Sequence, residues 1–418
     1  MIRKLIAAAL LASTASVGAA QTSATPAPAP AAPMTAAAAA TDPARLAAAR
    51  RFIDAALPDT LIQQALVAGM RSAAEQQRGN TEAARRDPHH AERARLELRV
   101  VEEETARILR DVEPGLRGLF ADFYARSLTA AELEEGTAFY ASPAGRRFGE
   151  GALNVVIDPE YEKSMKALDP LFAAVMTGVE RRYLAATAGL PPIPGLPTPP
   201  AAAASAPPAA VATPAIALPP RPGAPADPAR MAAARRALDA LWPSELFRRE
   251  LNLLPAIETL IAIRAGDFGV PIPPGIGVNP NATLAEIGSG FDPHLRQRLP
   301  VLTRFAGSEM ARLTTAMEPG WKLLTADAYA REFTVAELDE VTRFFSSAAG
   351  RRFAVESYRM FEDPQLIRGI VMMLPRVAMQ FPAMNQRVAQ ATAHLPPVPA
   401  EPAPAPPGSE RRRNRPRN

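Results

Sequence analysis

Cysteine is absent from the chain, and lysine occurs only four times among 47 bases. Without a thiol, the protein can form no disulfide bond, no thiolate metal site and no cysteine nucleophile. Arginine therefore carries nearly all of the positive charge. Because alanine and proline are also abundant, we interpret the arginine excess as codon bias rather than as phosphate recognition.

The sequence also lacks long apolar runs and the alternating pattern of a β-strand. The apolar run from Leu5 to Ala12 is well below the roughly 20 residues that a membrane-spanning helix needs, and no later stretch free of charge and proline is that long. Apolar residues instead recur at helical spacing, as at Leu46, Ala49, Ile53 and Leu57. The sequence therefore predicts an all-α fold.

The first 20 residues, MIRKLIAAALLASTASVGAA, have the pattern of a secretory signal peptide. Arg3 and Lys4 precede a short apolar run, and small residues follow up to Ala20. We therefore predict a signal peptide over 1–20, cleavage after Ala20, and a periplasmic mature protein with no transmembrane segment.

The net charge of +4 is concentrated at the ends of the chain. Arg3 and Lys4 belong to the predicted leader, and the C-terminal sequence RRRNRPRN contains five arginines. The remainder is about neutral, so we expect no specific nucleic acid partner. The tail is predicted either to contact an anionic envelope surface or to act as a disordered, solubilising end.

Proline and alanine crowd into three segments, which predict tethers. Two segments of normal domain size lie between them, and we name them copy 1 and copy 2 because they are homologous. The predicted organisation is a Pro/Ala-rich linker at 21–41, copy 1 at 42–189, a linker at 190–226, copy 2 at 227–395 and a disordered tail at 396–418.

The two copies repeat each other along most of their length. DPARLAAARRFIDAALP at Asp42 matches DPARMAAARRALDALWP at Asp227 with an offset of 185, and from Glu113 the offset is 205. Copy 2 therefore contains twenty additional residues. We place this insertion in the region 264–292, which is apolar and rich in proline, and its role stays open.

The most similar stretch reads LTAAELEEGTAFYASPAGRRF in copy 1 and FTVAELDEVTRFFSSAAGRRF in copy 2. Thr129 and Glu132 have the spacing of a capping box, and Ser142 followed by Pro143 predicts the start of another helix. Gly145 lies inside that helix, where glycine costs roughly 1 kcal/mol relative to alanine. Its presence in both copies predicts that another helix or the preceding turn packs close against it.

Capping and burial leave four arginines of this stretch unexplained: Arg146, Arg147 and their counterparts Arg351 and Arg352. One interpretation is that they pair with nearby carboxylates of the same copy, such as Glu132. The other is that each pair binds a carboxylate or phosphate of a partner through its guanidinium forks. We take these four as candidate partner-binding residues.

The pattern L-T-x-x-E-L, followed by F-Y-x-S-P-x-G-R-[RK], resembles the signature of the secreted bacterial family catalogued as domain of unknown function 2059. Copy 1 fits it throughout, whereas copy 2 has Phe333, Phe345 and Ala348 in place of the leading Leu, the Tyr and the Pro. The resemblance implies two tandem copies of an exported helical domain. It supplies no catalytic residue.

No catalytic motif or metal site is recognisable. Glu132 and Glu135 lie on one helix face, whereas glycosidase carboxylates face each other across a cleft. Methionines of copy 2 such as Met379 have helical spacing, which predicts core packing rather than binding of copper(I). We find no counterpart in the other copy for any histidine, these being His89, His90, His294 and His394. We expect no catalytic residue, no cofactor and no metal.

These observations favour a non-enzymatic envelope protein in which two tethered domains bind an envelope protein or an anionic polymer, with gain in avidity from the duplication. Two alternatives stay open. An envelope hydrolase or its accessory subunit would need a cleft in which Glu132, Asp122 and Arg146 converge. A chaperone-like stress module would use the apolar segment from Val270 to Val278.

Overall fold

The computed structural model describes residues 42–57, 87–167, 169–191, 226–268 and 279–396. Within these ranges the chain forms helices and no strand, apart from one isolated bridge between Arg264 and Thr283. The predicted all-α fold with two homologous copies is thus confirmed. The predicted leader, the first tether, most of the second tether and nearly all of the tail lie outside the described residues.

The helices that the two copies have in common occur in the same order in each. In copy 1 they are α1 (Pro43–Ala56), α2 (His90–Ser127), α3 (Ala130–Ala141), α4 (Pro143–Ile157), α5 (Pro159–Lys166) and α6 (Asp169–Ala186). In copy 2 they are α7 (Pro228–Leu241), α8 (Ser244–Arg248), α9 (Leu254–Ile261), α10 (Leu284–Phe291), α11 (Leu295–Glu332), α12 (Val335–Ser346), α13 (Ala348–Arg359), α14 (Pro364–Ala378) and α15 (Phe381–Thr392), with a 3-10 turn at Ala265–Phe268. The long helices α2 and α11 each have 38 residues.

Polar residues at the predicted positions begin the helices of the repeated stretch. The backbone N–H of Thr129 donates to Glu132 Oε2 at 2.7 Å, and the N–H of Glu132 donates to Thr129 Oγ1 at 3.3 Å. The N–H of Gly145 donates to Ser142 Oγ at 3.0 Å. Thr334 and Ser347 do the same in copy 2. The capping boxes and N-caps are therefore confirmed.

The turn before α4 explains the repeated glycine. A Cβ atom on Gly145 would lie 1.9 Å from the carbonyl oxygen of Phe139, and one on Gly350 would lie 2.0 Å from that of Phe344. Such distances are far inside van der Waals contact, so only glycine fits. Of the two predicted neighbours, the preceding turn is the one that packs against this position.

The two copies share a single hydrophobic core. Helix α3 packs against α13, and α4 packs against α12. Phe139 and Phe344 are counterparts at the offset of 205, and their rings stack with centroids 4.3 Å apart and planes 4° apart. The contact of α3 with α13 and that of α12 with α4 are equivalent once the copies are exchanged, and Phe139 stacks on its own counterpart. The copies are therefore related by an approximate two-fold axis near these rings.

Each copy also covers the long helix of the other. Helix α6 of copy 1 packs on α11 of copy 2, and α15 of copy 2 packs on α2 of copy 1. The pairing therefore resembles a dimer with exchanged C-terminal helices, formed within one chain. None of the described helices is both long enough and apolar enough to cross a bilayer.

Tyrosines from both copies are buried in the shared core. The hydroxyl groups of Tyr124 and Ser357 lie 2.9 Å apart and join copy 1 to copy 2. Burial raises the pKa of Tyr124 to about 12 and raises the pKa of Tyr140 and Tyr329 as well. These side chains therefore remain neutral and can pack as apolar rings.

The methionine prediction fails at Met379. This residue follows α14, and 48% of it is exposed, so it does not pack in the core. Met372 and Met373 on the same helix are half-buried. The helical spacing was correct, but it does not reveal which part of an apolar helix face other elements cover.

The offset of 205 begins earlier than Glu113, and the prediction that no histidine has a counterpart is wrong for His89 and His294. Asp87 accepts from the N–H of His89 at 2.9 Å, and Asp292 accepts from the N–H of His294 at 3.0 Å. These two histidines precede α2 and α11 at equivalent positions. The additional residues of copy 2 therefore all lie before Asp292.

Candidate interaction surface

The first arginine of each candidate pair binds the end of the preceding helix. Arg146 donates through Nη1 to the carbonyl oxygen of Ala141, and Arg351 donates through Nη1 to that of Ser346. A cation is favourable there because the C-terminal carbonyls of a helix carry partial negative charge. Both arginines nevertheless remain exposed.

The second arginine of each pair joins the two copies. Arg147 donates to the carbonyl oxygen of Glu332 at 2.9 Å and to its Oε1 at 2.8 Å. Arg352 donates to the carbonyl oxygen of Ser127 at 3.0 Å. Ser127 and Glu332 are equivalent residues at the ends of α2 and α11. Each of these arginines therefore caps the C-terminal end of the long helix of the opposite copy.

The predicted pairing of the arginines with carboxylates of their own copy is not what the structure shows. Glu132 is engaged in its capping box, and Glu135 accepts from the hydroxyl of Ser347 in the other copy at 2.6 Å. Arg147 does form ion pairs, but both are with the other copy: with Glu332 at 2.8 Å and with Glu337, the counterpart of Glu132, at 3.9 Å. Helix ends and the second copy come within reach of the arginines only after the helices have packed, so spacing along one copy could not identify them.

Two buried carboxylates, which the sequence reasoning missed, connect the copies at a second place. Glu104 on α2 is 1% exposed and Glu309 on α11 is 3% exposed. Arg107 lies one turn away and reaches Glu104 at 2.7 Å, while Arg387 of α15 pairs with the same carboxylate from the opposite copy. We name this group and its counterpart the carboxylate clamps. The counterpart consists of Glu309, Arg312 and Arg182.

A sequence signal for the clamps existed. Both long helices contain Glu-x-Ala-Arg at the offset of 205, at Glu104 and at Glu309, and Arg182 and Arg387 have the same offset. The repeated charges lie upstream or downstream of the most similar stretch, where the alignment is weaker. Because buried carboxylates need paired charges, their repetition indicates a structural ion pair.

The segment between α8 and α9 is held to the turn between α13 and α14 by another ion pair. Arg249, just after α8, reaches Glu362 at 2.5 Å, and the N–H of Asn252 donates to the same carboxylate at 2.7 Å. Phe291 at the end of α10 is 67% exposed. The segment from Val270 to Val278, on which the chaperone hypothesis depended, lies entirely outside the described residues.

The hydrolase hypothesis receives no support from the contacts of its residues. It required Glu132, Asp122 and Arg146 to converge, but Glu132 binds Thr129 and Arg146 binds Ala141. In the described ranges, no three histidine or acidic residues are grouped so that they could hold a metal ion.

Comparison with known proteins supports the resemblance found in the repeated stretch. The model of a family described as an uncharacterized protein conserved in bacteria (DUF2059) matches residues 115–155 and again residues 322–362. No curated protein and no solved structure is significantly similar to the chain. The two matched segments span the end of the long helix and the two following helices in each copy, so the chain carries two tandem copies of the DUF2059 domain.

Proposed function

We propose that the protein is an exported, non-enzymatic interaction protein of the cell envelope, and that Arg146 and Arg351 contact its partner. One observation carries the proposal: each of these arginines is anchored through a single nitrogen to a helix end, yet the residue remains exposed. Arg147 and Arg352 are assigned instead to holding the two copies together.

The chemistry of the arginines indicates an anionic partner. Anchoring one nitrogen restricts the side chain, so less conformational entropy is lost when the other N–H groups bind. A guanidinium fork matches a carboxylate or phosphate group. The two-fold arrangement presents two equivalent forks on one rigid unit, which allows two contacts with a repeating or dimeric partner.

The test is a crosslinking capture with the mature chain added to envelope extract. The chain for this assay is purified from the periplasmic fraction, where mass spectrometry should find Gln21 as its first residue. We compare the wild type with Arg146→Ala/Arg351→Ala. We expect the wild type to capture a defined anionic component and the double variant to lose that capture while melting within a few degrees of the wild type.

The matched control is Arg51→Ala/Arg236→Ala. These arginines are also two-fold counterparts and also exposed, and their pairs with Glu134 and Asp339 are on the surface. The control removes the same charge and should capture the partner normally. Equal capture by all three proteins would refute the assignment of Arg146 and Arg351. Equal loss of capture in both variants would show that the interaction is non-specific charge attraction.

A further inference from the structure

The two copies contribute different side chains at equivalent positions of the interface between them. Gly151 of α4 lies against the ring of Phe333, and a Cβ atom at position 151 would be 2.4 Å from two ring carbons. At the offset of 205, Gly151 corresponds to Glu356 and Phe333 corresponds to Leu128. If two copy 2 domains paired in this geometry, the side chain of Glu356 would have to enter the space that the Phe333 ring fills.

A second contact, a buried hydrogen bond, favours the unlike pair over a pair of two copy 1 domains. The hydroxyl groups of Tyr161 and Thr325 lie 3.0 Å apart in the core between the copies. The residue of copy 1 equivalent to Thr325 is Phe120, and the residue of copy 2 equivalent to Tyr161 is Leu366. In a pair of two copy 1 domains this hydrogen bond would be lost, because the phenyl ring of Phe120 has no hydroxyl group to replace that of Thr325.

Two further polar contacts would be lost in a pair of two copy 1 domains. Tyr124 meets the hydroxyl of Ser357, whose equivalent in copy 1 is Ala152. Arg147 meets the carboxylate of Glu332, whose equivalent in copy 1 is Ser127. A second copy 1 domain would supply neither group to these side chains.

We propose that the two copies have diverged into a heterotypic pair, in which each copy recognises the other and rejects a second copy of itself. Positions 151, 161, 325 and 333 set this specificity. The steric conflict at Glu356 excludes pairs of copy 2. The loss of the Tyr161–Thr325 hydrogen bond, together with the contacts of Tyr124 and Arg147, disfavours pairs of copy 1. Attraction to the correct partner is thereby combined with a penalty against the wrong one. The inference does not depend on the proposed envelope function.

In the direct test, the separated copies refold together, and the pairs that they form are counted. A full chain with a protease site inserted between Pro191 and Ala226 is cleaved in its native state, unfolded in urea and refolded as the equimolar mixture. Native mass spectrometry then counts each kind of pair. We expect like pairs to be at least ~10-fold rarer than unlike pairs, which corresponds to about 1.4 kcal/mol. Random pairing, with like pairs in half of all complexes, would overturn the proposal.

Variants of the intact chain test the same point without separating the copies. Gly151→Glu gives copy 1 the side chain that copy 2 has at this position, and we expect it to lower the melting temperature. Phe333→Leu in the same chain should restore at least half of the loss, because the smaller residue is the one that faces this position in the opposite pairing. The Phe333→Leu single variant is the control. Wild-type melting of Gly151→Glu, or a double variant no more stable than Gly151→Glu, would show that this contact does not discriminate.

Discussion

At the scale of single residues, the repeated glycine is the clearest case of a side chain excluded by geometry. Gly145→Ala places a Cβ atom 1.9 Å from the carbonyl oxygen of Phe139, so the turn between α3 and α4 must open. We expect a loss of about 1–3 kcal/mol in the free energy of unfolding, measured by urea denaturation.

The chain offers a matched control for this substitution in Gly118. It lies inside α2, and a Cβ atom there would meet nothing within 4 Å. Gly118→Ala should therefore stabilise the protein by about 0.5–1 kcal/mol through the greater helix propensity of alanine. If Gly145→Ala behaved like Gly118→Ala, the close contact with the turn would be disproved.

At the scale of helices, the carboxylate clamps hold the exchanged C-terminal helices in place. Glu104 is fully buried, whereas the side chains of Arg107 and Arg387 are 38% and 54% exposed. Arg107→Ala/Arg387→Ala leaves an uncompensated buried carboxylate and should cost about 3–5 kcal/mol in the free energy of unfolding. Glu104→Gln should cost less, because the amide is neutral and the two arginines can be hydrated.

An exposed pair is the reference for the clamp measurement. Arg236 and Asp339 lie 2.8 Å apart with both side chains more than half exposed, at 54% and 53%. Asp339→Ala should change the stability by less than about 1 kcal/mol. A clamp variant whose unfolding matches that of Asp339→Ala would mean that water reaches Glu104 and that the clamp does not hold α15.

At the scale of the whole molecule, one shared core implies one cooperative unit. Both tryptophans, Trp242 and Trp321, belong to copy 2. Tryptophan fluorescence therefore reports the unfolding of copy 2, and far-ultraviolet circular dichroism reports the helices of both copies. We expect the two signals to change at the same urea concentration, because neither copy can unfold without exposing the core of the other.

Independent folding of the copies would give a different result. If the dichroism signal showed a second transition that fluorescence did not follow, the two copies would unfold separately. A chain with a lengthened 192–225 linker is a suitable comparison, since the transitions should stay coincident when the contacts, rather than the tether, couple the copies.

The repeated stretch shows how far residue patterns could predict the interaction surface. The four arginines were identified as unexplained by capping, and the structure gives each a contact with a helix end. What could not be predicted was that Arg147 and Arg352 would reach the opposite copy. The residues of the carboxylate clamps do repeat at the offset of 205, but the repetition does not show that their charges meet, because they come together only when α6 and α15 are exchanged.

The sequence by itself determined the helices, their caps and the glycine at the turn, because these features depend on atoms within a few residues of each other. It also determined that the chain contains the same domain twice, since many residues of copy 1 recur at the equivalent positions of copy 2. Only the tertiary structure decided that the two domains form a single core, which residues face the two-fold axis and which arginines bridge the copies. Those contacts join residues more than 100 positions apart, and local propensity and spacing carry no information about which of many apolar faces will meet.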